Sequence, residues 1–379
     1  MKKASYKIFH LSSAHSAADV RIFGKEAVTL AAAGHHVTVW GRHPREETRQ
    51  GVTLRPVPMT ASRARRMLVT PWWLFRESLR CKADFYHLHD PELIPVGILL
   101  ALTGRKVIYD VHEDLPGSIM TKEWIPPLLR WLISGMAALL EKMAIGVLAG
   151  FVPATPAIAR RFPLERSQLV QNFPRIEEFA THAGSRQPAE HEVIFAYVGA
   201  LTELRGARQM LDALALTPLH YRLVIMGEIY PPEFRSGLQQ HSAWSRVTYL
   251  GQRQHPEATQ LLMSAHAGLV LFHPAPNHTE AQPNKLFEYM AAGLPVIASD
   301  FPLWRELIAG AACGLVVEPL DPAAIAHAMI TVAENTEESV AMGTRGRIAV
   351  HTRFNWATEG AALVHFYSRL AAQRDPSNI

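Results

Sequence analysis

Glu280-Ala-Gln-Pro-Asn-Lys-Leu-Phe-Glu288-Tyr-Met-Ala-Ala-Gly-Leu-Pro-Val-Ile-Ala-Ser299 joins a polar loop, a short helix and a buried strand within 20 residues. The Pro/Asn segment reads as a loop, and Gly293 and Pro295 stop the helix that follows it. Val296-Ile-Ala-Ser299 then reads as a strand of a covered parallel sheet. Leu286, Phe287, Met290 and Ala291 form the apolar stripe of the helix, so Lys285 and Glu288, at i and i+3, are expected to face away from the core. A loop feeding a helix N-terminus suits an anion, because the first amides lack partners and the dipole end is positive. Two carboxylates, Glu280 and Glu288, flank this cradle.

The same alternation extends through the chain. In the first half, strands are expected at Tyr6–Leu11, His36–Trp40, Phe85–His89, Lys106–Val111 and Val147–Pro153, with a helix over Val20–Ala33 closed by Gly34. From Asn172 to Glu192 the composition shifts to linker residues. Strands are then expected at Val193–Val198, Tyr221–Met226, Val247–Leu250, Gly268–Phe272, Pro295–Ser299 and Gly314–Glu318, and a last helix around Trp356–Ala372. This pattern predicts an α/β chain of two doubly wound, Rossmann-like domains. The expected divisions are 1–175, 176–355 and a C-terminal helix, 356–379, that crosses back to the first domain. Two such domains are expected to face a shared cleft at their strand C-termini.

The 379 residues are 48% hydrophobic and 19% charged, a globular composition. A formal charge of +4 suits an anionic ligand but does not imply nucleic-acid binding. Two cysteines, Cys81 and Cys313, fit a reducing, cytoplasmic setting, and no signal peptide is read at the N-terminus. The apolar zone Ile125–Phe151 is broken by Arg130, Glu141 and Lys142 and is not expected to span a membrane.

Three further segments carry chemistry. Tyr197-Val-Gly199-Ala-Leu-Thr-Glu-Leu-Arg205-Gly206 follows a strand, and Arg205 sits where a phosphate would meet the next helix. His87-Leu-His89-Asp90-Pro-Glu92 and Asp110-Val-His112-Glu113-Asp114 end two other strands, with Asp110, His112 and Asp114 expected on one side. They admit a metal site, a polar floor for a sugar, or capping of strand ends. No D-x-D pair occurs, and the opening loop, Ser12 to Arg21, has no glycine fingerprint of a dinucleotide fold. Arg63, Arg65, Arg66, Arg76, Arg80 and Lys82 interleave with Trp72, Trp73 and Phe75, opposed only by Glu77. This segment, 63–82, is expected to touch an anionic membrane surface.

Taken together, Asp19-Val-Arg-Ile-Phe-Gly-Lys-Glu-Ala, His89-Asp-Pro-Glu-Leu, Tyr109-Asp-Val-His-Glu-Asp-Leu-Pro, Tyr197-Val-Gly, Asn284 to Asp300 and Phe354-Asn-Trp resemble the GT-B glycosyltransferases of family 4, in particular bacterial enzymes of surface-polysaccharide assembly. The resemblance runs from about Lys7 to Tyr367. It implies retention of anomeric configuration and no obligatory metal or other cofactor. It places His112 and Glu280 by the donor sugar, Glu288 by the ribose, and Arg205 and Lys285 on the diphosphate, behind the turn at Gly199. Many relatives have arginine where this chain has Ala200, so the diphosphate falls to Arg205, Lys285 and helix-end amides.

The expected partners are a nucleotide-sugar donor, in the first place a UDP-sugar, and a glycan or lipid-linked acceptor, with no nucleic acid. The expected place is the cytoplasm, peripheral on the inner face of the membrane. The alternatives are a metal-dependent hydrolase using His87, His89, Asp90 and His112, and a non-catalytic sugar-nucleotide-binding protein. A UDP-sugar 2-epimerase shares the fold, but no motif favours it.

Overall fold

The computed structural model describes residues 5–60, 62–121, 125–180, 192–253 and 255–373, so most of the Asn172–Glu192 linker lies outside the described residues. The chain divides into two compact units, residues 1–172 with 357–379, and residues 173–356. Each is built on a mostly parallel sheet flanked by helices.

The first unit has seven strands: β1 (Lys7–Ser16), β2 (His36–Arg42), β3 (Glu47–Arg49), β4 (Val52–Pro56), β5 (Phe85–Leu88), β6 (Lys106–Val111) and β7 (Gly150–Pro153). Their order is β3-β4-β2-β1-β5-β6-β7. All neighbours are parallel except the β3–β4 hairpin. The sequence reading does not include that hairpin. Its turn places Gln50 at φ 50°, where Asn, Asp or Gly would have signalled it. β5 and β7 are buried at every residue, as a strand covered on both faces requires.

Two helices correct the expected boundaries. The segment read as one helix over Val20–Ala33 opens as a π-helical turn, Ile22–Ala27, before the α-helix Val28–Ala32. The wider turn, with the amide of Glu26 donating to Arg21 O, aims Arg21, Lys25 and Glu26 into the core together. The strand expected from Val147 starts at Gly150, because the helix Pro127–Val147 runs up to it. The C-terminal helix, Trp356–Ala372, lays Phe366 against Gly150, where a Cβ would sit 2.6 Å from the ring. Its Tyr367 hydroxyl lies 2.8 Å from His87 Nδ1 on β5.

The second unit is a six-stranded sheet of β8 (Val193–Val198), β9 (Tyr221–Met226), β10 (Val247–Gly251), β11 (Ala267–Val270), β12 (Val296–Ser299) and β13 (Gly314–Val317). Every pairing is parallel and the order is β10-β9-β8-β11-β12-β13. The switch between β8 and β11 is where such a sheet opens a crevice at its carboxyl ends. Phe195, Leu223, Leu269 and Ile297 fill one side of this sheet, against the helices Ala207–Ala215 and Pro322–Glu334. Ala196, Val270, Phe287, Met290 and Trp304 fill the other.

Candidate functional site

The helix Asn284–Ala291 begins beside the carboxyl ends of β8 and β11. Pro283 is its N-cap and supplies no side-chain hydrogen bond, so the first-turn amides are left to other acceptors. Phe287, Tyr289 and Met290 are buried, and the Tyr289 hydroxyl accepts from the amide of Val198, at the end of β8, at 2.9 Å. This fixes where Lys285 lies.

Lys285 does not face away from the core. It is 8% exposed, and its Nζ donates to the Tyr197 hydroxyl at 3.0 Å. The ammonium lies over the Tyr197 ring, 4.5 Å from the centroid, and 5.1 Å from that of Phe272. The helix stripe predicted the opposite because it counts only positions on one helix. At the first turn the neighbours are strand ends, and a long side chain there runs back over them. Burial, reinforced by the Arg205 cation, holds Lys285 down at about 7, while Glu288 opposes that shift. Glu288 itself is half-buried and Glu280 is exposed. The loop that carries Glu280 is tied down by Trp304, whose Nε1 donates to Ala281 O at 2.7 Å.

Gly199 and Gly206 shape the other wall. Gly199 has φ 111°, and a Cβ there would meet Lys285 Nζ at 3.5 Å. Gly206 has φ 77° and starts the helix Ala207–Ala215, and a Cβ there would lie 2.0 Å from Leu271 O. Arg205, held between them, donates from Nη1 to Ala200 O at 2.6 Å and stacks over Phe272, 5.5 Å from its centroid. Gly199, Arg205 and Lys285 therefore gather around the aromatic pair Tyr197 and Phe272. The sequence reading gave neither ring a role. The available signal was a bulky aromatic near the carboxyl end of each of two adjacent strands, β8 and β11.

His112 belongs to the first unit and stands at the edge of a buried polar network. Its Nε2 lies 3.0 Å from Asp110 Oδ2. Asp110 takes both Arg21 Nη2, at 2.8 Å, and Arg21 Nε, at 3.2 Å. His89 Nδ1 bonds the same carboxylate at 3.0 Å, and its Nε2 pairs with His10 Nδ1 at 2.8 Å. Burial pushes the Glu26 carboxyl well up, while Arg21 and the histidines hold Asp110 well down. The two carboxyls are pushed apart, Glu26 toward its protonated form and Asp110 toward its charged form. Burial also lowers His10, His87 and His89, so they are neutral.

Two expectations about these clusters change. Asp114 does not share the Asp110 side; the strand ends at Val111, and Asp114 caps the helix Leu115–Met120 by accepting from the Gly117 amide. Asp90 does not join His87 and His89; its Oδ1 lies 2.7 Å from Nδ1 of His15 instead. Its carboxylate takes Ser12 Oγ at 2.7 Å and the amides of Ser13 and Ala14 at 2.6 and 3.1 Å. The amides at the end of β1, the place where nucleotide folds bind phosphate, are filled from within the chain. The metal-ligand types do cluster: His10, Glu26, His87 and His89 offer donor atoms within 4.8 Å of one another, as do His89, Asp110 and His112.

The description "Glycosyl transferases group 1" matches residues 179–349, and "Glycosyl transferase 4-like domain" matches residues 21–162. Phosphatidyl-myo-inositol mannosyltransferase of Mycobacterium tuberculosis is 25% identical over 304 residues, 76% of this chain and 74% of its own. Glycogen synthase of the same organism is 26% identical over 197 residues, 50% of this chain. The chain spans 45% of the length of that relative. Among solved structures, Anabaena HepE in complex with UDP-glucose superposes with a TM-score of 0.72 at 15% identity, covering 96% of this chain and 99% of its own.

Proposed function

The chain belongs to the GT-B glycosyltransferases of family 4, and on that premise we propose that it moves a sugar from a nucleotide-sugar donor, a UDP-sugar, to a polysaccharide or lipid-linked oligosaccharide acceptor with retention of configuration. The carrying observation is the buried Lys285 ammonium beside Arg205, at an uncapped helix start. Two cations against aromatic faces are costly unless an anion joins them. A diphosphate supplies that anion, and HepE binds one in UDP-glucose.

Departure of the nucleoside diphosphate builds negative charge on its outer phosphate. Arg205, Lys285 and the first amides of the helix Asn284–Ala291 stabilise that charge without reorganising. Glu288 accepts from the ribose hydroxyls, and Glu280 and His112 contact the donor sugar. Asp110 orients His112 and keeps its Nε2 side polar. No nucleophile is assigned, so the leaving phosphate oxygen takes the acceptor proton on the same face as attack. On this reading no obligatory metal is needed, because Arg205, Lys285 and the helix-start amides carry the charge of the leaving diphosphate. Segment 63–82 contacts the inner face of an anionic membrane, and the enzyme works from the cytoplasmic side.

The test is turnover. The purified protein, given a panel of nucleotide sugars and a glycan or lipid-linked acceptor, is expected to release UDP and form a product of retained configuration. Loss of that activity in Glu288→Ala supports the reading. UDP release no faster than without protein, in wild type as in Glu288→Ala, sinks it in favour of a silent binding protein.

A further inference from the structure

The helix Pro127–Val147 buries only Ala137, Glu141 and Ala144 fully, yet its outer face is apolar along its whole length. Leu128, Leu132, Met136, Leu139, Met143 and Val147 follow one another at spacings of three and four and are 83, 60, 57, 59, 49 and 39% exposed. Trp131, 71% exposed, flanks the row. Such a stripe normally faces a core, but here the core lies on the opposite side. The charges of this helix stay off the row. Glu141 is buried and bonded to Arg161, Arg130 turns back to Ile125 O at 2.5 Å, and Lys142 stands exposed at the flank.

The surface continues. The helix Ile94–Leu102 packs between this helix and the helix Arg63–Arg80, and adds exposed Leu99 and Leu102. Arg63–Arg80 adds Leu68 and Trp72, 76 and 57% exposed. Its one acid, Glu77, is taken by Arg80 at 2.7 Å. Arg65, Arg76, Arg80 and Lys82 are all exposed. Among the described side chains of the two outer helices, every acid is therefore paired, and exposed cations border an apolar strip.

We propose that the helix Pro127–Val147 is the principal membrane-docking element of this chain, lying in the plane of an anionic lipid surface with Leu128, Trp131, Leu132, Met136 and Leu139 among the acyl chains. This deepens the contact proposed for 63–82 and rests on that reading, but it moves the apolar anchor to a different helix. The charge pattern selects lipid over a second copy. A two-fold contact between copies would set the same cation fringe against itself, whereas anionic headgroups match both fringe and strip. Among the described residues no helix is long and apolar enough to cross a membrane, so the helix lies on the surface. Tryptophan at the flank of the strip suits the headgroup boundary.

Flotation of the full chain with phosphatidylglycerol–phosphatidylethanolamine vesicles, and with phosphatidylcholine vesicles, tests this. Wild type is expected to float with the anionic vesicles and weakly with the neutral ones. Leu128→Ser/Leu132→Ser/Met136→Ser is expected to lose flotation by about tenfold or more, with UDP affinity kept. Leu68→Ser/Trp72→Ser is expected to lose less. Brominated lipid is expected to quench wild-type tryptophan fluorescence more than that of Trp131→Phe, a single change that reports even where the triple variant melts early. A triple variant that floats like wild type, with no quenching difference for Trp131→Phe, overturns the assignment. So does a wild type that stays off anionic vesicles while forming a dimer that the triple substitution abolishes. Lost UDP binding with intact flotation would instead strike the donor site and leave this inference standing.

Discussion

Lys285 Nζ donates to the Tyr197 hydroxyl at 3.0 Å while lying over the ring of the same residue. The hydroxyl in turn donates a hydrogen bond to Ala200 O at 2.8 Å. The lysine is thus aimed by an aromatic that holds no charge, and its charge is left for a ligand.

Replacing Lys285 by Met keeps the stem and removes the charge. The expected result is a loss of about 10²–10³ in turnover, the usual effect of one preorganised donor to a developing oxyanion. Thermal stability should stay level or rise, because a buried cation is removed. Steady-state kinetics and a melting curve check both halves, and an active Lys285→Met variant contradicts the phosphate role.

The lowered Lys285 value, about 7, has a pH signature in two directions. Between that value and its ordinary 10.5, the unfolded chain binds more protons at this group than the folded one. Stability of the ligand-free protein should therefore rise with pH across this window, and the rise should vanish in Lys285→Met. Diphosphate binding favours the charged form, so donor affinity should fall as pH climbs above about 7. Denaturant melts and UDP titrations at several pH values test the two signs together.

Arg21 meets both carboxyls of the buried network, Glu26 at 2.9 Å and Asp110 at 2.8 Å. Arg21→Met leaves the Asp110 charge with only histidines and is expected to cost about 3–5 kcal/mol of stability. Asp110→Asn in the same background should recover part of that loss, since the uncompensated charge is gone. Urea unfolding of the single and double variants measures the recovery, and strictly additive losses would contradict the pairing.

Gly206→Ala meets Leu271 O at 2.0 Å in a left-handed conformation, so the backbone must move. The neighbouring Arg205 moves with it. Donor affinity should drop several-fold beyond what the lost stability explains, whereas Gly237→Ala, with open space around its Cβ, should be silent. UDP titrations of both variants compare them.

Prolonged treatment with a chelator is expected to leave transfer intact. Metal analysis of the purified protein should find less than stoichiometric zinc. Activity lost to the chelator and restored by zinc would move His10, Glu26, His87 and His89 from a hydrogen-bonded core to a metal site.

The fold was legible because strand and helix periods alternate cleanly, as in Val193–Val198 and Tyr221–Met226, which the structure reproduces residue for residue. Gly199, Arg205 and Lys285 were legible because turns and helix starts punctuate the sequence. The orientation of Lys285 was not, since one helix's stripe is blind to the strand ends that meet its first turn. The π-helical turn at Ile22–Ala27 was hidden for a related reason. Arg21, Lys25 and Glu26 look like surface charges until the wider turn aims them inward. Asp90 read as a possible ligand because a strand end with two histidines is ambiguous, and only the fold brings Ser12 and Ser13 to it from 77 or more positions away.

Calorimetric titration of UDP into wild type and Lys285→Met tests the central claim most directly, with uridine as the control lacking the diphosphate. Wild type is expected to bind UDP far more tightly than uridine, and Lys285→Met to lose about tenfold for UDP, roughly 1.4 kcal/mol, with uridine unchanged. Equal affinity of the two proteins for UDP would contradict the assignment of Lys285 to the donor diphosphate.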